Sequence, residues 1–145
     1  MRASAAPAAL LAALALAAGC GGGGDALAPG AGDYVVMGVD TRDPVAVAEA
    51  YLVARALCDE GLAWAIAVPE IRLTPEPPSK AEVDRAKVTC KRASGPTEYV
   101  GTVLVEGDGV VEVYGEETTG NGDDSIVTLR RTASGWRLVS TRGAG

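Results

Sequence analysis

The chain has no histidine and no phenylalanine, and two Trp and four Tyr supply all of its aromatic rings in 145 residues. Without histidine there is no Ser-His-Asp triad, no Cys-His pair, no His-ligated zinc and no imidazole acid or base near neutral pH. Positive charge is also scarce: 13 Lys and Arg stand against 19 Asp and Glu, a net charge of −6. That balance repels phosphate backbones and anionic headgroups, which disfavours nucleic acid as a partner. No apolar run reaches the roughly twenty residues needed to span a bilayer. The run Ala8 to Ala18 falls short and is bounded by Pro7.

What is present begins with that run. Arg2, the apolar stretch and the ending Leu16-Ala17-Ala18-Gly19 are the parts of a secretory signal. Cys20 follows directly, and the arrangement resembles a bacterial lipoprotein lipobox, although the Leu preferred three residues before the cysteine sits one place earlier, at Leu16. The resemblance implies cleavage before Cys20, acylation of its sulfur, and a place on the cell membrane or outer membrane, facing the extracytoplasmic side. An ordinary secreted protein cut near Ala17 or Ala18 is the alternative. Residues 1–19 are thus expected to be a signal peptide, residues 20–40 the lipidated cysteine and a flexible tether, and residues 41–142 a single domain. The tether expectation rests on the glycine-rich segment from Gly21 to Gly32, too poor in apolar side chains to pack. Only Arg2 is charged in the signal, so mature side chains sum to −7 and membrane attachment falls to the lipid rather than to a basic patch.

If Cys20 is lipidated, Cys58 and Cys90 remain as an even pair in an oxidising compartment, which favours a disulfide. Two free buried thiols are the other reading. Closing a loop of about thirty residues stabilises a fold by about 3 to 4 kcal/mol on the chain-entropy model.

Asp43 and Pro44 are a strong helix start, and Val47, Ala50, Tyr51, Ala54, Leu57 and Cys58 recur at three- and four-residue spacing. A helix is expected from Pro44 to about Glu60, stopped by Gly61. Leu62 to Val68 suggests a second, short helix ended by Pro69, with Trp64 in the core. Ile71 to Thr74 reads as a brief strand before Pro75-Glu76-Pro77-Pro78 forbids regular structure. Ser79 with Glu82 forms a capping box for a third short helix. Tyr34 to Val39 is left open between an edge strand and a segment laid along the domain.

Beyond Gly95 the pattern becomes strand-like. Thr97–Glu106, Val110–Thr118, Ser125–Thr132 and Trp136–Thr141 alternate, and turn residues such as Asp108-Gly109 and Ser134-Gly135 separate them. A four-stranded antiparallel meander follows. Its inward faces are expected to carry Tyr99, Val103 and Val105, then Val111 and Val113, Val127 and Leu129, and Trp136 and Leu138. Glu112 should point to solvent, while Val100, Thr102 and Leu104 would leave an apolar stripe on the outer face. The acidic turn from Glu116 to Asp124 lacks EF-hand spacing and is read as a solvated hairpin loop, not a metal site.

A helix opening Asp43-Pro44 with Tyr51 inside it, short helices, and a sheet ending Gly135-Trp136-Arg137-Leu138-Val139 resemble the NTF2-like superfamily. The resemblance implies an α+β cone: a long N-terminal helix plus short helices packed on a curved four-stranded antiparallel sheet. In enzymes of that kind a carboxylate base works with a tyrosine, and the pieces here would be Tyr51 and Asp59 with Tyr99 or Tyr114. Tyr51 also fits a plain core position, and Asp59 a surface pair with Arg55. Tyr51, Trp64, Tyr99 and Trp136 are the candidates to line a ligand cavity. No cofactor is expected. The leading expectation is a lipid-anchored envelope protein binding a small apolar ligand or a protein partner without catalysis. A small isomerase or dehydratase and an accessory subunit using the outer sheet face, with a homodimer among its forms, are the alternatives.

Overall fold

Asp43 accepts a hydrogen bond from Val45 N at 2.9 Å and Pro44 occupies the first helical position, so the first helix starts where the sequence places it. The computed structural model describes residues 34–94, 98–119 and 123–145. Cys20, the signal and the glycine-rich segment lie outside the described residues. The described chain is α+β, with a two-stranded hairpin, three α-helices and a four-stranded antiparallel sheet.

The hairpin joins β1 (Val35–Val36) to β2 (Val39–Asp40) through Met37 and Gly38, both at positive φ as a two-residue primed turn requires. These residues, grouped with the tether in the sequence-based domain limits, are therefore folded. Thr41, fully buried, fastens the hairpin to the sheet. Its N–H donates to Tyr34 O at 2.7 Å, its hydroxyl lies 2.7 and 2.9 Å from the carbonyls of Tyr34 and Ser134, and its own carbonyl accepts Trp136 N–H at 2.7 Å.

Helix α1 (Pro44–Ala56) ends one turn before the expected Glu60. Cys58 takes a left-handed conformation, φ 55°, which turns the chain and frees Asp59 to cap α2 (Glu60–Ile66) through Leu62 N at 3.2 Å. Gly61 thus lies inside α2 rather than ending α1. The earlier start also reassigns the core position on α2. Ile66 is fully buried, and Trp64, two residues and some 200° around the helix, is turned outward. A 3-10 turn (Pro69–Ile71) replaces the expected strand at Ile71. α3 (Lys80–Ser94) is the longest helix, not a short one. Its capping box forms as expected: Ser79 Oγ donates to Glu82 Oε2 at 2.7 Å, and Glu82 N donates to Ser79 Oγ at 3.3 Å.

The sheet runs β3 (Tyr99–Gly107), β4 (Val110–Glu117), β5 (Ser125–Thr132) and β6 (Gly135–Gly143), each strand beside its successor. Helix α1 lies across it and contacts all four strands. Val111, Val113, Val127, Leu129, Trp136 and Leu138 face the helix and pack with Val47, Tyr51, Leu52 and Ile66, as alternation predicts. β3 departs from the pattern. A bulge interrupts its pairing between Val103 and Val105, and every residue from Thr102 to Val110 is exposed. Val103 and Val105, expected inside, are 41% and 59% exposed, because the cover from α1 ends at Gly101, beside Val45 and Glu49.

Candidate functional site

Three regions contain the residues singled out by sequence, and the fold assigns them different work. The first is the interior between α1 and the sheet. Tyr51 and Trp136 are 7% and 5% exposed, members of one packed cluster, and Tyr99 packs against its edge. Tyr51 sits on the inner face of α1 because its spacing matches Val47 and Ala54. Its hydroxyl accepts from Arg55 Nη1 at 3.2 Å, and this bond raises the Arg55 pKa above its ordinary value. Burial chiefly pushes the Tyr99 phenol up, with Glu117 adding to the effect. The cluster is built from side chains that fill space rather than from groups converging on a substrate.

Asp59 belongs to the second region. The expected pair with Arg55 does not form; Asp59 caps α2 and accepts from Lys87 Nζ of α3 at 3.2 Å. Among the described residues no bond links it to Tyr51, so the carboxylate and the phenol are not assembled as an acid–base pair. Beside it Cys58 and Cys90 are joined, with Cα atoms 5.8 Å apart, and the bridge holds α3 against the end of α1. Trp64 faces the proline-rich loop: its Nε1 donates to Thr74 O at 2.9 Å, and the Arg72 guanidinium lies 3.9 Å from its ring centroid. An open groove of about 550 Å³ runs between this loop, α2 and α3, lined by Pro75, Pro77, Pro78, Val83 and Ala86 among others. None of Tyr51, Trp64, Tyr99 and Trp136 lines it.

The third region is the β3–β4 hairpin. Val100 and Leu104 are 52% and 50% exposed, as the outer stripe predicts, and with Val103 and Val105 they leave both faces of the strand apolar and open. One backbone group at this edge is covered, for Gly101 N donates to Glu49 Oε1 at 2.8 Å. From Glu98 to Glu117 the chain carries six carboxylates and neither Lys nor Arg. This one-sided charge was present in the sequence and is the signal that marks the hairpin as a distinct surface. Glu112 turns away from the buried Val111 and Val113, as expected, and lies half-buried 3.6 Å from Arg142. Tyr114 donates to Asp124, which holds the Asp124 carboxyl below its ordinary range and the phenol above its own.

Among the described residues no cluster of three metal-ligating side chains occurs, and no helix is long and apolar enough to cross a membrane. No family model, curated protein or solved structure matches the chain.

Proposed function

We propose that this chain is a lipid-anchored cell-envelope protein whose domain acts without catalysis, by binding a protein partner along the β3–β4 hairpin. The observation that carries the reading is the exposed apolar strand from Thr102 to Val105, at the edge of the sheet and framed by Glu98, Glu106 and Asp108. An edge strand of this kind recruits an extended segment by main-chain pairing, with side-chain pockets and charge setting selectivity. The complementary partner is an extended segment that alternates apolar and basic residues.

The rival enzyme reading lacks support where it needs it most, since Tyr51 fills the core and Asp59 caps a helix. The apolar-ligand reading loses its lining for the same reason, with Tyr51 and Trp136 packed as core. We also read the domain as a reduced NTF2-like cone, supported by α1 lying across all four strands. For the anchor, the support is the sequence around Cys20.

Titrating the protein with a peptide of alternating Val and Lys, followed by amide chemical shifts, tests the binding surface. Shifts concentrated at Val103–Glu106 are expected, and Leu104→Glu should abolish them. Shifts confined to α1 and the inner sheet would refute the surface, and concentration-dependent shifts of Val103–Glu106 in the peptide-free protein would make a second copy the partner. Mass spectrometry of the mature N-terminus tests the anchor: a diacylated Cys20 is expected, and an unmodified peptide starting elsewhere would refute it.

A further inference from the structure

On the sheet's far side from α1 stand two arginines, within charge range of a third and, among the described residues, bonded to one carboxylate, Glu70. Arg130 and Arg137 are Cα partners across β5 and β6, and each follows or precedes residues buried against the helix, so both point away from it. Like charges placed directly opposite on a sheet repel each other. Glu70, in the 3-10 turn after α2, bonds Arg130 Nη2 at 2.8 Å and neutralises one of the two. Arg72, two residues on, is close enough for its charge to act on both Glu70 and Arg137.

Arg72 and Arg137 are held in place without being neutralised. The Arg72 guanidinium lies over the Trp64 ring, and its Nε donates to Trp64 O at 2.9 Å. Arg137 Nη1 donates to Trp136 O at 2.9 Å. Among the described residues neither side chain bonds a carboxylate. A guanidinium has five N–H donors, and those already used point at backbone carbonyls, so most of each fork stays free for an oxygen-rich anion. Burial first, and the charge of Arg72 second, hold Arg137 below its ordinary pKa.

We infer that Arg72, Arg130 and Arg137 form a binding site for a phosphate group. Three guanidinium charges less the Glu70 carboxylate leave +2, enough to meet the charge of about −1.5 to −2 on inorganic phosphate near neutral pH or the single negative charge of a phospholipid phosphodiester. Paired forks suit bidentate contacts to its oxygens. The group could be free phosphate or the headgroup of an anionic phospholipid, and this site is separate from the β3–β4 surface and independent of its fate.

The test uses the full chain carrying Cys20→Ser, titrated with inorganic phosphate and, separately, with phosphatidylglycerol vesicles against phosphatidylcholine vesicles. Arginine side-chain N–H resonances of Arg72 and Arg137 and Trp64 fluorescence are the readouts. Phosphate is expected to perturb both, Arg72→Gln/Arg137→Gln to weaken binding by about tenfold or more, and Glu70→Gln to tighten it severalfold. Response to phosphatidylglycerol vesicles alone, lost in the double variant, makes the headgroup the source. No response to either probe, or binding that the double variant leaves unchanged, overturns the site. Glu70→Gln guards against a folding artefact, since it removes no arginine and moves affinity in the opposite direction.

Discussion

The two hairpins of the sheet are similar in length and in their number of β-branched residues, seven and six, yet they are built for opposite surroundings. From Glu98 to Glu117 there are six carboxylates and no cation; from Ser125 to Gly143 there are four arginines and no carboxylate. The outer edge of β6 is covered by backbone over its first half, with Val68 N donating to Leu138 O at 2.9 Å and Trp136 N to Thr41 O at 2.7 Å. Among the described residues the edge of β3 has one cap, Glu49 on Gly101, and then a bulge and exposed strand. A sheet needs both edges managed against unwanted pairing. Here one is managed by covering it and the other by charge and a bulge, which leaves the second open to a chosen partner. Strand propensity alone does not distinguish the two hairpins; what differs is the cover each receives from the rest of the chain.

The largest effect should come from truncating a leucine on each side. Leu138 is 2% exposed, and Leu138→Ala should lower unfolding free energy by about 2 to 5 kcal/mol through lost transfer and a residual cavity. Leu104, 50% exposed, should change it by no more than about 0.5 kcal/mol when replaced by Ala. Denaturant titration measures both. Equal losses would show that the β3 edge is covered in solution and would remove the basis for the contrast.

The turn glycines sharpen it further. Gly135 sits at φ +101°, and a Cβ there would overlap the side chain and backbone of Thr41. Gly135→Ala should cost about 2 to 3 kcal/mol from backbone strain and the displaced neighbour. Gly107 has nothing near its would-be Cβ, and Gly107→Ala should be neutral within about 0.5 kcal/mol. Thr41→Val tests the same junction more gently. The hydroxyl bond to the carbonyls of Tyr34 and Ser134 is lost at a fully buried site, and a cost of about 1 to 2 kcal/mol is expected in thermal or denaturant unfolding.

Much of this architecture was legible because it is local. The Asp43-Pro44 start, the Ser79–Glu82 box, the Asp108-Gly109 turn and the alternation of Val127, Leu129, Trp136 and Leu138 each need only a few neighbouring residues. The end of α1 was not legible: apolar periodicity continues through Leu57 and Cys58, and Gly61 is the stronger breaker by composition, yet the chain turns at Cys58. Trp64 followed that error, since its face depends on where α2 begins. The exposure of Val103 and Val105 depends on how far α1 reaches over β3, a fact of packing that no strand pattern contains. The arginine cluster was hidden for a similar reason. Arg72 comes within charge range of Arg137 only because Ala67 and Val68 pair with Leu138 of β6, although the charge partition between the hairpins was in plain view.

The smallest expected effect lies at the joint between the two hairpins. Asp124 accepts from Tyr114 OH on β4 and from Glu117 N at 3.0 Å, just before β5 begins. These bonds require an ionised Asp124 and a protonated Tyr114, and each pKa is displaced accordingly. Because the carboxyl is held below its unfolded value, its contribution is complete above that value and is lost as pH falls through the lowered pKa in the folded state. The phenol is raised, so its contribution is complete below its unfolded value and is lost as pH rises through the raised pKa. The Glu117 amide should therefore exchange faster in acid and in strong base, relative to its intrinsic rate, than at neutral pH. Asp124→Ala should remove both arms and leave a flat ratio across the range. The amides of β6 beyond Trp136, held by partners that do not titrate, should keep their protection throughout. If they loosen in step with Glu117, the two hairpins open as one unit and the joint is not where they separate.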